Sequence, residues 1–304
     1  MPNSLLTIDM ITREALRLAH EKISFIGTIN RQFDDSFGRS EGKIGDTLRI
    51  RLPSQYVRRT GSRVMDVQDS EQQNTTLVTA TQDGVDMRFN SRELALDLEN
   101  FSKLHLDPAM ASLVSGIESD VLQGCTQRTF NVAGTAGSAI SSLTTVGEAR
   151  ARLNQYLAPK DANRAIQMDS VTMGTLVDAL KGLFQDSQQI KEQYREGMIG
   201  RTAGADYYEN ERTFTLANGA DVAAGLNAYT LPAGGTSCTV SGWAAPVTGM
   251  VFTFAGGTAL HPETKAAYSQ LQQFVVTSTT PTSTTIFFEP AIYASGARQN
   301  VTGM

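Results

Sequence analysis

Two extended segments joined by a polar stretch constrain this 304-residue chain more than any other feature. Residues 45–52, GDTLRIRL, alternate apolar and polar side chains with the period of a half-exposed strand, and residues 75–89 return with a similar mixture. The pattern predicts a long two-stranded ribbon whose tip projects. An isolated hairpin is at best marginally stable in water. Because the neighbouring sequence offers no surface for it, we expect the ribbon to rest on another copy of the chain.

The charged residues in this part of the chain separate into a basic stretch and an acidic stretch. Residues 39–63 carry a net charge of +5 and residues 66–120 a net charge of −8. We expect the basic limb of the ribbon to contact an acidic surface on a neighbouring copy. The residues expected at this contact are Arg49, Arg51, Arg58, Arg59 and Arg63 on one side, and Glu93, Asp97 and Glu99 on the other. Two alternatives remain open: the charges only keep exposed elements soluble, or the arginines touch nucleic acid, with Tyr56 as the one aromatic among them.

Helical periodicity marks two segments on either side of the ribbon. Residues 7–30 form an amphipathic pattern, which predicts a helix that either packs on its own domain or docks elsewhere as an arm. Asp107-Pro108 predicts the start of a helix that runs to about Arg128, because Asp caps well and Pro suits the first helical position. Its predicted apolar stripe consists of Met110, Leu113, Val114, Ile117, Val121, Leu122 and Cys125.

The second half of the chain changes character twice. Thr145–Glu148 fits a capping box for a helix ending near Leu157, residues 165–168 predict a strand, and a further helix runs from Asp169 or Ser170 to Phe184. Residues 188–212 are polar and are expected to form loops. From Thr213 onward charged residues are scarce, and short β-type runs at 251–254, 274–277 and 285–288 predict an all-β module. We place a boundary near Arg212, and the fold class is α+β.

Motifs for catalysis or metal binding are missing from the sequence. Residues 38–44, GRSEGKI, have three residues rather than four between the glycines and no Ser or Thr after the lysine, unlike a phosphate-binding loop. The histidines, His20, His105 and His261, show no ligand spacing, and Cys125 and Cys238 are isolated. A net charge of −5 argues against phosphate-driven nucleic-acid binding. We expect no enzyme activity, cofactor or metal, and neither a signal peptide nor a membrane span.

Four stretches give the chain a family resemblance. They are GDTLRIRLP at 45–53, VDMRFNSRELALDLENFSKLHLDPAMASL at 85–113, GRTAGADYYEN at 200–210 and HPETKAAYSQLQQFVV at 261–276. Together with the order of elements, they resemble the major capsid proteins of tailed bacteriophages, which have the Johnson fold. The sequence looks most like the branch from short-tailed enterobacterial phages, whose coat proteins carry an inserted β domain.

The resemblance implies a role for each region. Residues 1–38 would be an N-terminal arm, residues 39–90 the extended loop, and residues 91–144 the peripheral domain with a spine helix at 107–128. Residues 145–212 would begin the axial domain, and residues 213–304 would be the inserted β-rich domain. Members of the family return from the insertion to the axial and peripheral domains, and no such return follows in this sequence before Met304.

The resemblance also implies a function. The chain would self-assemble, as hexamers and pentamers, into an icosahedral shell around double-stranded DNA that it contacts without sequence specificity. A scaffolding protein and a portal protein would be partners. The protein would be assembled in the host cytoplasm and located in the virion capsid, with no membrane involved. Two alternatives stay open: the shell of a bacterial nanocompartment (encapsulin-like) with the same fold, and an unrelated enzyme or adhesin.

Overall fold

A computed structural model of the chain describes residues 8–29, 45, 47–61, 65, 67–70, 72–88, 98–135, 137–161, 163–180, 200–217, 234–239, 246–279 and 285–303. Within these residues, helices and three separate sheets make the fold α+β, as the sequence predicts. The chain divides into two compact units. The first unit comprises Met1–Ile50, Thr76–Leu122 and Asn210–Thr213, and the second comprises Arg51–Thr75, Gln123–Glu209 and Phe214–Met304.

Helices make up most of the described part of the first unit. Their bounds are α1 Ile8–Lys22, α2 Phe25–Thr28, α3 Leu98–Phe101 and α4 Asp107–Arg128, the last of which continues beyond the unit. A small core forms where Leu18 of α1 packs with Phe101 and Leu106. A hydrogen bond of 3.0 Å from Ser102 to Glu14 and an ion pair of 2.6 Å between Lys22 and Asp107 fasten the same helix. Of the two alternatives for the N-terminal helix, the structure therefore shows the one in which it packs on its own chain.

The long helix α4 has the predicted bounds, from Asp107 to Arg128, but Asp107 does not have the predicted role of a cap. Instead, α3 leads through a π-helical turn at Ser102–Leu106 directly into α4. Pro108 cannot donate a backbone hydrogen bond, and its ring would crowd the carbonyl four residues earlier. The wider π turn lets the helix continue past it. On α4 the structure buries Val114, Glu118 and Leu122, whereas Cys125 of the predicted apolar stripe is exposed.

Strands β1 (Thr47–Leu52) and β2 (Gln73–Val78) pair as a two-stranded ribbon, as the sequence predicts. The second limb is shorter than predicted, because β2 ends at Val78 and residues 79–88 form no strand. The first limb of the ribbon pairs with the second in reverse order. At the base the Gly45 amide donates to the Thr79 carbonyl, and further out the Val57 amide donates to the Gln68 side chain. The prediction that the chain offers the ribbon no surface of its own is wrong. Residues 51–75 belong to the same compact unit as the β-rich C-terminal region, because a loop more than two hundred residues away in sequence lies beside them.

The second unit contains a small α/β layer. Its elements are α5 Leu143–Gln155, β3 Ala165–Met168, α6 Ser170–Leu180, β4 Arg201–Thr202 and β5 Ala205–Glu209. Strand β3 pairs in parallel with β5, and β4 pairs with β5 in antiparallel fashion. The core of this layer includes Met168, Leu176, Leu180 and Tyr207. The prediction of a capping box at Thr145 is wrong, because α5 begins two residues earlier, at Leu143. Strands β4 and β5 occupy part of the segment 188–212 that was predicted to form loops. The end of the helix predicted to reach Phe184 lies outside the described residues.

A five-stranded sheet forms the β-rich region. Its strands are β6 Gly235–Thr239, β7 Val251–Leu260, β8 Ala267–Thr279, β9 Thr285–Ile292 and β10 Val301–Thr302, in the order β10-β7-β8-β9-β6. All three β-type runs found in the sequence lie within β7, β8 and β9. Four phenylalanines, Phe252, Phe254, Phe274 and Phe288, meet in its core at 5.2–5.9 Å between ring centroids. Such geometry suits aromatic packing, because ring edges are positive and ring faces negative.

The β-rich region does not stand apart from the α/β layer. Tyr156 donates a hydrogen bond of 2.8 Å to Gln272, a side chain that is 1% exposed on β8. Tyr268 donates to the backbone oxygen of Gln155 at 3.2 Å. The first bond satisfies the buried Gln272 side chain, and residues 123–209 and 214–304 fall within one compact unit rather than two separated near Arg212.

Candidate interaction surfaces

The basic limb of the ribbon presents its arginines to solvent. Arg49, Arg51, Arg58 and Arg59 are exposed, and Arg63 lies outside the described residues. Among the residues that the structure describes, none forms an ion pair or hydrogen bond with the side chains of Arg49, Arg51 or Arg58. Charges held at the surface in this way remain available to a partner, although an exposed pair alone is typically worth only about 0–1 kcal/mol.

Of the acidic residues expected opposite these arginines on another copy, the structure describes Glu99. Glu99 forms an exposed ion pair of 2.7 Å with Lys103, one helical turn away on the same segment. Glu93 and Asp97 lie outside the described residues. Two acids counted in the negative stretch are already paired within the chain, Asp107 with Lys22 and Glu118 with Arg212. The contact between the arginines and acids of different copies therefore stays a prediction.

Apolar side chains on the ribbon are exposed as well, and the prediction of the contact from charges alone did not include them. Leu52, Tyr56, Val57, Leu77 and Val78 are each between 41% and 60% exposed. The alternation of apolar and polar residues in the sequence could have indicated this surface, because a half-exposed strand has an apolar face that must be buried against another surface. Apolar side chains clustered with arginine and tyrosine are the composition that protein interfaces favour.

An open groove separates the ribbon from a C-terminal loop. Gln55, Val57, Gln68 and Asp69 of the ribbon line one wall, and the loop Tyr293–Arg298 lines the other. The groove has a volume of about 570 Å³. A second hollow of about 360 Å³ shares Gln55, Tyr293 and Arg298 with it and reaches inward to Gln272. Both lie wholly within the second unit.

A buried ionic cluster in the first unit holds three distant segments of the chain together. The Glu118 side chain is fully buried on α4 and accepts hydrogen bonds from the backbone amides of Ser24 at 2.6 Å and Phe25 at 2.9 Å. The guanidinium of Arg212 donates to the same carboxylate and, through Nε, to Ser115 at 3.1 Å. Asn210 donates to the Ser24 hydroxyl at 3.1 Å.

The protonation of Glu118 follows from these contacts. Burial raises the pKa of the carboxyl, but the backbone hydrogen bond from Ser24 and the charge and hydrogen bond of Arg212 outweigh it, so that the pKa lies below its ordinary value. The residue is therefore an anion at neutral pH. Although Glu118 belongs to the acidic stretch 66–120, it does not contribute to an exposed surface, because it is buried on α4 together with Val114 and Leu122.

Three chemically reactive side chains, those of His261, His105 and Cys238, have local surroundings that the structure describes. His261 accepts hydrogen bonds from the backbone amides of Glu263 and Thr264, each at 3.2 Å, and so closes a turn. His105 lies against the ring of Phe101. Burial raises the pKa of the Cys238 thiol to about 11, so that it is not a thiolate at neutral pH.

No three His, Cys, Asp or Glu side chains of the described residues converge as metal ligands would. None of the helices in the described ranges combines the length and the apolar character needed to cross a bilayer.

Comparison with known proteins gives a similarity among solved structures but none among families or curated proteins. The sequence matches no known protein family and no curated protein. Among solved structures, a chain from Mycobacterium phage Che8 is similar, with a TM-score of 0.43 and 16% sequence identity, over 63% of this chain and 70% of that one. A TM-score this low does not establish a shared fold, and the proposals below rest on the residues of this chain instead.

Proposed function

We propose that this chain is the major capsid protein of a tailed bacteriophage. In this proposal it has the Johnson fold and assembles with copies of itself into an icosahedral shell around double-stranded DNA. The observation that carries the proposal is the ribbon, which exposes apolar and cationic side chains together over its two limbs. A self-assembling subunit needs such a surface, whereas a monomeric protein would gain nothing from keeping it.

The energetics of the ribbon favour many weak contacts. Fully burying one Leu, Val or Tyr side chain contributes about 1.5–3 kcal/mol, and those on the ribbon are already partly covered. One ribbon docked on one neighbour therefore gives a modest affinity. In a closed lattice every copy both gives and receives such a contact, and the high effective concentration of neighbours makes the whole stable. Weak single contacts also allow misplaced subunits to leave.

The order of elements supports the same proposal. A helix, a two-stranded ribbon, a long helix, an α/β layer and a β-rich region follow one another, in the order of the arm, extended loop, spine helix, axial domain and inserted domain of that family. A scaffolding protein and a portal protein are the proposed partners, and the virion is the proposed location. A net charge of −5 suits a shell that must not hold its DNA tightly.

Electron microscopy of the protein, expressed with the scaffolding protein of the same phage, tests this function. We expect uniform hollow particles in negative stain. The contents of particles purified from the natural source distinguish the alternative. A cargo enzyme inside them, without nucleic acid, would instead identify a nanocompartment shell. Monodisperse monomers under all conditions would refute the proposal.

Charge reversal tests whether the ribbon makes the contact. Replacing Arg49 and Arg51 by Glu should raise the concentration needed for assembly ~10-fold or more, because like charges facing each other at an interface are costly. The matched control replaces Arg128 and Arg150 by Glu, which removes two exposed arginines outside the ribbon. Equal effects of the two double variants would show that net charge, not the ribbon, governs assembly.

A further inference from the structure

The ribbon is fastened internally, independently of the surface beside it. Gln68 spans the two limbs, because its side chain accepts from the Val57 amide at 2.7 Å and donates to the Val57 carbonyl at 2.6 Å. The Ser70 hydroxyl lies 3.1 Å from that of Ser54 and 3.2 Å from that of Tyr56. These bonds hold the two limbs to each other and would persist if the ribbon moved as a body.

The loop on the other side of the groove is equally self-contained. The Asn300 side chain accepts from the backbone amide of Tyr293 at 2.9 Å and donates to the carbonyl of Ala291 at 2.7 Å. The guanidinium of Arg298 lies 5.3 Å from the centre of the Tyr293 ring and donates to its hydroxyl at 2.9 Å. Arg298 is thus held in place by its own loop, pointing toward the ribbon.

A polar contact bridges the two walls. With its amide oxygen turned toward the cation, Gln73 of β2 accepts hydrogen bonds from Arg298. Beside this contact the groove of about 570 Å³ stays open. Leu52, Tyr56 and Val57 remain exposed while the ribbon lies here, so the position does not satisfy its apolar surface.

We infer that the Gln73–Arg298 contact is an autoinhibitory seat, which holds the ribbon on its own chain until assembly. The inference rests on the proposed function. A ribbon held against its own loop is not free to lie on a second copy. Only the fraction of subunits with a released ribbon can then join the shell, and the apparent affinity for assembly falls by that fraction. The seat would keep newly made subunits apart until a growing shell offers the ribbon a larger surface.

Two variants with opposite effects test the seat. Arg298→Ala removes the donor, and Gln73→Glu places a carboxylate against the guanidinium, which strengthens the contact. Amide hydrogen exchange of the monomer reports release directly. We expect exchange in residues 51–61 and 72–75 to become ~10-fold faster in Arg298→Ala and slower in Gln73→Glu. Exchange in β7–β9 should stay as in the wild type, which shows that the β-rich region is intact.

Assembly of the same variants, followed by light scattering, completes the test. The concentration needed for assembly should fall in Arg298→Ala and rise in Gln73→Glu, and Arg128→Ala should match the wild type. Ribbon exchange unchanged in both variants would overturn the inference. So would assembly at the same concentration in Arg298→Ala, Gln73→Glu and the wild type, and in that case the capsid function stands. Absence of particles from the wild type with its scaffolding protein would instead refute the proposed function.

Discussion

Replacing Glu118 by alanine removes the acceptor at the centre of the buried cluster in the first unit. The backbone amides of Ser24 and Phe25 lose their partner, and Arg212 keeps its charge beside a cavity. Breaking a buried ion pair on one side typically costs about 3–5 kcal/mol, because the remaining charge is uncompensated. We expect a loss of that size in the free energy of unfolding, which is a large part of the ~5–15 kcal/mol that stabilises a domain.

Urea denaturation followed by circular dichroism measures the loss, and hydrogen exchange locates it. Exchange should quicken in α1, α2 and α4 but not in β7–β9. The matched control is Asp120→Ala, which removes an exposed carboxylate two residues away on the same helix and should change stability by less than about 0.5 kcal/mol. The double variant Glu118→Ala/Arg212→Ala should lose less than the sum of the single variants. A loss in Glu118→Ala no larger than in Asp120→Ala would refute the reasoning.

The pKa of Glu118 adds a dependence on pH with a definite sign. Because the folded pKa is lowered, the stability it contributes is present above the unfolded pKa of about 4.3 and is lost as the pH falls through the folded value. Glu118→Gln keeps an acceptor for the backbone amides but cannot ionise. The stability difference between wild type and Glu118→Gln should be constant near neutral pH and shrink below about pH 4. A difference that does not change with pH would contradict the lowered pKa.

Three further substitutions follow from local contacts. Asp169→Ala should cost ~1 kcal/mol in urea unfolding, because its carboxylate accepts the Thr172 amide at 3.3 Å and caps α6; an unchanged midpoint would show that the cap contributes nothing. Phe254→Ala should cost ~3–5 kcal/mol, since the side chain is fully buried among three other phenylalanines, and thermal unfolding checks it against the conservative Phe254→Leu. Gly256→Ala should destabilise more than Gly296→Ala: both have positive φ, but only at Gly256 would a Cβ meet a backbone oxygen, that of Gly303, at 2.9 Å. Equal melting temperatures for the two glycine variants would show that the loop yields to the methyl group.

The parts of the fold that follow from local periodicity were accessible from the sequence. Strand β1 and the helices α1, α4 and α6 lie within predicted segments, and the three predicted β-type runs lie within β7, β8 and β9, because amphipathic patterns act within a few residues. Strand β2 overlaps its predicted segment only at residues 75–78. Strands β4 and β5 were missed. Strand β5 is short and takes its place by pairing in parallel with β3 some forty residues earlier, which a local pattern does not reveal.

At the candidate surfaces, local features were predictable from the sequence, whereas contacts between distant segments were not. The exposure of Arg49 and Arg51 follows from the alternation of apolar and polar side chains along β1. The seat of the ribbon could not be predicted, because Arg298 is more than two hundred residues from Gln73. The buried cluster did leave a signal, since Glu118 interrupts an otherwise apolar face on α4, and a charge in such a place needs a partner. The sequence does not say that the partner is Arg212.

Photo-crosslinking in assembled particles tests most directly whether the ribbon of one copy contacts another copy. Tyr56, which is 56% exposed, is replaced by an amino acid with a benzophenone side chain. This variant is prepared in two forms, one with light and one with heavy nitrogen, and equal amounts of each are used. The two are mixed before assembly and irradiated afterwards. Our account predicts crosslinked peptides of mixed isotopic mass in the particles, and links within one copy in the monomer. Particles in which every link from Tyr56 stays within one copy would contradict it.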